Sequence, residues 1–80
     1  MAETKQYDLS GPGGIDVWRN LPEGTTITLL NNAVGEVIAN PRDGGWVEVK
    51  FLEHPDPSKV GQEVYVMFNE VKGATGRLGL

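Results

Sequence analysis

The sequence predicts an all-β domain of short antiparallel strands, and three observations carry that reading. Residues 46–51, Trp46-Val47-Glu48-Val49-Lys50-Phe51, alternate side by side: Val47, Val49 and Phe51 fall on one face, Trp46, Glu48 and Lys50 on the other. A strand has period two, so this is a half-buried strand with an aliphatic inner face. Other β-branched runs recur at residues 25–30, 34–39 and 63–68. Between the runs stand Gly, Pro, Asn and Asp, the residues that turns require, and no window shows a helical stripe.

Taken in order, residues 1–14 are polar and end in Ser10-Gly11-Pro12-Gly13-Gly14, which reads as a flexible arm. Ile15, Val17, Trp18 and Leu21 form a short apolar cluster, suited to packing across an open end of the core. Leu21-Pro22-Glu23-Gly24 is a turn, in which Pro fixes one φ and Gly supplies a positive one. Residues 25–30 make the first strand, with Ile27 and Leu29 inward. Asn31-Asn32 turns the chain into the second strand, residues 34–39, where Gly35 marks a bulge or tight bend. Asn40-Pro41-Arg42-Asp43-Gly44-Gly45 then closes a hairpin onto the Trp46 strand. Pro55 and Pro57 exclude helix and central strand from residues 53–62, which read as a long surface loop. In the fourth strand, residues 63–68, Val64, Val66 and Phe68 face one way and Tyr65 and Met67 the other. Residues 69–72 are a 3₁₀ turn or a brief last strand, and residues 73–80 a Gly-rich tail.

Four to five such strands within residues 15–72 suit a small closed or partly open barrel, because closure removes aggregation-prone edges. The order of elements resembles an SH3-like barrel. The resemblance lies in Pro22-Glu23-Gly24-Thr25 before a strand, Val34-Gly35-Glu36-Val37, the Gly44-Gly45-Trp46-Val47-Glu48-Val49 return, and a last strand followed by Asn69-Glu70-Val71. These motifs are generic, so the resemblance implies a fold and carries no function with it.

Composition narrows the functional classes. Eighty residues make one domain with a small core, burying roughly 60–65% of the unfolded surface. There is no cysteine, which excludes disulfides, thiolate metal sites and cysteine nucleophiles and favours a reducing, cytoplasmic setting. Residues 1–6 hold no apolar run of the kind a signal peptide has. No stretch reaches the ~20 apolar residues that span a bilayer, so no membrane role is expected. Seven scattered basic residues against eleven acids, a net charge of −4, oppose a nucleic-acid partner, which calls for clustered positive charge.

The candidate binding residues are Trp46, Tyr65, Met67 and Trp18. Trp46 shares its face with charges, and Tyr65 and Met67 lie opposite the aliphatic face of their own strand. Aromatic side chains with a polar handle anchor interfaces. The alternative is a second minor core, in which Ile15, Val17 and Trp18 fold back over the outer face. No catalytic residue can be named. Ser10 and Ser58 lie in Pro/Gly-rich loops without a nucleophile elbow. Eleven carboxylates make chance pairs inevitable. His54, with Glu53 and Asp56 nearby, lacks the second imidazole or thiolate of a zinc site. Neither glycine cluster is followed by the Lys-Ser or Lys-Thr of a phosphate loop. No metal or cofactor is expected.

The expected function is a non-catalytic interaction module or small subunit, working through a protein partner or through self-association. Two resemblances supply alternatives. In size and layout the chain is similar to type II dihydrofolate reductases, SH3-like barrels with an N-terminal arm that assemble as tetramers around one shared pore. Their pore motif is Val-Gln-Ile-Tyr, whereas this chain has Val64-Tyr65-Val66-Met67, so the site residues do not carry over. Val34-Gly35-Glu36-Val37 also resembles the Gly-centred turn of KOW domains, which implies a nucleic-acid-associated barrel that the charge balance opposes.

Overall fold

Six strands form in the computed structural model, which describes residues 4–77. They are β1 (Thr4–Tyr7), β2 (Thr26–Leu29), β3 (Val34–Ala39), β4 (Val47–Glu53), β5 (Glu63–Val66) and β6 (Val71–Arg77). All neighbours run antiparallel in one sheet of order β1-β6-β2-β3-β4-β5, so β1 and β5 are its end strands. The predicted all-β class holds. The strand count is six rather than four to five.

The hairpin of β3 and β4 pairs as expected, with Val37 opposite Val49 and Glu36 opposite Lys50. Side-chain parity is kept along β4: Val47, Val49 and Phe51 are buried while Lys50 and Leu52 are exposed. The register slips between Val34 and Gly35, where the sequence places a bulge. A Cβ on Gly35 would come within 3.3 Å of the Val49 side chain and the Lys50 carbonyl, so the glycine lets β3 and β4 close on one another. Gly24 and Gly44 both take positive φ, as their turns require.

The ends of the chain depart from expectation. Residues 4–7 and 73–77, predicted as tails, are paired strands, with Gln6 opposite Thr75 and Tyr7 opposite Ala74. Neither strand shows a strand pattern of its own, and what orders them is pairing between distant segments. β6 also pairs with β2, setting Ile27 opposite Ala74. Gly76 contributes by having no side chain: a Cβ there would sit 3.0 Å from the Tyr7 ring. Residues 1–3 and 78–80, the outer parts of the predicted tails, lie outside the described residues.

Helix α1 (Gly14–Arg19) was not expected. One and a half turns are too short to display a 3.6-residue period, and no side chain caps the helix start. Tertiary packing forms it. Trp18 and Leu21 are fully buried in the same cluster as Ile27, Val37, Val47 and Val49, so α1 and the turn after it complete the core begun by the sheet. Phe68, partly buried, lies beside the Trp18 indole at 6.1 Å between ring centroids. It belongs to a 3₁₀ turn (Phe68–Glu70) that hands β5 on to β6. The Glu70 carboxylate accepts the Met67 N–H at 2.7 Å, and the Glu70 N–H returns to the Met67 carbonyl.

The loop between β4 and β5 contains a second 3₁₀ turn (Pro57–Lys59) with proline at its start, where an absent N–H costs nothing. Asp56 caps it, accepting from the Ser58 N–H at 3.0 Å and the Ser58 hydroxyl at 2.7 Å. The hydroxyl bond first, then the amide bond, hold the Asp56 carboxyl below its ordinary 3.8. Asp8 is lowered in the same way by the Ser10 hydroxyl and amide. A folded-state value below the unfolded one means stability present above pH 3.8 and lost as pH falls through the folded value. The difference in urea midpoint between the native chain and Ser58→Ala is therefore expected to shrink as pH falls below about 4. A difference constant from pH 2 to 6 would contradict this origin for the cap. His54 completes the loop: its Nδ1 accepts the Asp56 N–H at 2.9 Å and its ring meets Phe51 edge-on at 4.8 Å.

Candidate functional site

The outer face of β4 and β5 carries the candidate site. Trp46 is 52% exposed and Tyr65 66%, and both line one groove of about 710 Å³ together with Pro41, Asp43 and Val64. The strand register explains the meeting. Val47 pairs with Val66 and Glu48 with Tyr65, so the residue before β4 and the middle of β5 project from neighbouring strands. Met67, 39% exposed, follows Val66 just beyond the paired stretch and does not line the groove.

The groove's other wall is the loop from β3 to β4, and that loop is tied down at both ends. The Asn40 side-chain amide donates to the Leu21 carbonyl at 2.9 Å and the Arg19 carbonyl at 3.2 Å, satisfying groups left open at the end of α1. Its own carbonyl oxygen accepts the Arg42 N–H at 2.9 Å. Arg42 takes φ 64° and Gly44 φ 83°, the left-handed steps that bring the chain round. The Asp43 Oδ1 accepts the Gly45 N–H at 2.8 Å, and the Gly45 carbonyl accepts the Trp18 indole N–H at 2.9 Å. Trp46 thus follows a residue whose backbone is pinned to the core.

Trp18 is where the expected site changes. The sequence groups it with the binding residues, but it is 0% exposed, and both its apolar body and its N–H are used inside the protein. Its place is structural: it links α1, the core and the groove loop. Ile15 and Val17 do not cover Trp46 or Tyr65, which remain exposed. Pro41, Asp43 and Val64 are the lining residues that sequence reasoning missed. Pro41 and Asp43 read as turn formers and Val64 as core, and all three readings are compatible with a second use as groove wall.

Among the described residues no helix is long and apolar enough to cross a membrane. Comparisons with protein-family models, with curated proteins and with solved structures found no match.

Proposed function

We propose that this chain is a non-catalytic interaction module or small subunit, and that the Trp46–Tyr65 groove is where it docks. The observation that carries the reading is the pairing of two large exposed rings on one apolar groove in an 80-residue chain. Exposed rings lining a shaped concavity mark interaction sites more often than idle surface. The preorganised loop lowers the ordering cost of binding.

The same reading takes strands β6-β2-β3-β4-β5 as a partly open SH3-like barrel. The strand order and the 3₁₀ turn leading into β6 support it, as does the bond from the Leu30 N–H to the Glu70 carbonyl at the β2–β6 corner. The absence of cysteine supports a cytoplasmic setting.

A random-peptide library displayed on phage and selected on the immobilised full chain tests the docking role, with light scattering run in parallel for self-association. The expected result is recovery of peptides, or a concentration-dependent mass, whose association weakens at least about tenfold in the Trp46→Ala/Tyr65→Ala double variant. Association indifferent to that variant, or none in either assay, would refute the reading.

A further inference from the structure

We infer that the groove receives a cationic side chain, lysine or arginine, carried on a short extended segment of a partner protein; this rests on the docking role proposed above. Two independent features of the lining favour positive charge. Trp46 and Tyr65 supply two aromatic rings to the lining, and the face of such a ring carries the negative end of its quadrupole and attracts cations. Among the described residues Asp43 is the charged member of the lining. Its Oδ1 takes the Gly45 N–H, which leaves a carboxylate with further acceptor capacity, and among the described residues the ion pair found is Asp16 with Arg19, at 3.4 Å.

Glu48 stands opposite Tyr65 and adds a second negative charge to the same face. Lys50 stands opposite Glu63 in the register, so an acid faces that lysine across the strands. Arg19 pairs with Asp16 and its guanidinium also lies against Gly44 of the groove loop, within 3.4 Å of where a Cβ there would sit, but neither it nor Arg42, next to Asp43 in the chain, is part of the lining. The net charge of −4 draws a cationic segment in and repels a second copy of this chain.

Size and position give the form of the occupant. The five lining residues fall far short of the roughly 20–30 residues a side of a stable protein–protein interface. The groove, about 710 Å³, is open to solvent along one side and has room for a long side chain. Val64 and Tyr65 belong to β5, an end strand with no neighbouring strand on its outer side among the described residues, so an extended segment has backbone to run along. The run is short, because the Met67 N–H is already held by Glu70.

The test uses the peptides selected on the full chain, resynthesised and titrated calorimetrically. Enriched sequences are expected to carry lysine or arginine. Replacing that residue by glutamine should weaken binding at least about tenfold, Asp43→Asn should weaken it about three- to tenfold, and raising salt should weaken it further. Peptides that lack a basic residue, or that bind Asp43→Asn as well as the native chain, yet still need Trp46 and Tyr65, would overturn this inference and leave the docking role standing. A stable dimer through the groove would also overturn it. Binding that needs neither ring would overturn both.

Discussion

Trp18→Ala is expected to remove about 3–5 kcal/mol of folding free energy, the range for deleting a buried aromatic side chain. A chain of 80 residues has roughly 4–12 kcal/mol in total, so this one change takes much of it. Three losses coincide. The indole leaves a cavity in the cluster of Leu21, Ile27, Val37 and Val49. Its ring contact with Phe68 goes. The Gly45 carbonyl loses its donor, which loosens the loop that holds Trp46. Urea unfolding measures it: with a slope near 1 kcal/mol per molar, the midpoint should fall by about 3–5 M or the chain should be unfolded outright. Trp18→Phe, which restores most of the volume but not the N–H, should fall between the two. A loss below about 1 kcal/mol for the alanine variant would mean that α1 does not complete the core.

Gly14→Ala is the second large effect, and its cause is a collision. A Cβ on Gly14 would lie 2.2 Å from the Leu9 carbonyl oxygen and 2.7 Å from its carbon, both backbone atoms that cannot rotate away. The segment between β1 and α1 must shift to admit a single methyl group. Overpacking of this kind costs about 1–3 kcal/mol, occasionally more. The damage should also be directional: with α1 anchored by Trp18, β1 yields, and hydrogen exchange should show its amides losing protection before those of β3 and β4. Gly13→Ala supplies the control. Nothing lies within 4 Å of its Cβ position and its φ is −92°, so it should stay within about 0.5 kcal/mol of the native chain. Equal behaviour of the two variants would refute the steric explanation.

What was legible in the sequence is what local rules decide. Val47, Val49 and Phe51 alternate with charged neighbours, and period two has one reading, so β4 and its faces follow. Asp43-Gly44 names its own turn. The missed elements are non-local. Thr4-Lys5-Gln6-Tyr7 alternates no apolar residues in sequence, and β6 includes Gly73 and Gly76, yet β1 becomes a strand because β6 supplies its partners, and β6 because β1 and β2 flank it. α1 follows a Gly-rich stretch and has no side-chain cap, and it forms because Trp18 is worth burying. For the site, parity placed Trp46 and Tyr65 outside correctly. It said nothing of Trp18, whose indole belongs to a helix and so lies outside any strand rule. Asn40, the residue that ties the groove loop to α1, looked like one more turn former, since its side-chain partners Arg19 and Leu21 lie some twenty residues away.

The two tryptophans are placed oppositely, Trp18 inside the core and Trp46 outward, and the proposed docking role falls to Trp46 alone of the pair. Equilibrium unfolding of the Trp46→Ala/Tyr65→Ala double variant, set beside its peptide binding, tests this most directly. The predicted result is a folding free energy within about 1 kcal/mol of the native chain, about 0.5 for each surface substitution, with binding at the groove abolished. A variant that loses 3 kcal/mol or more would place those rings in the core and contradict the account.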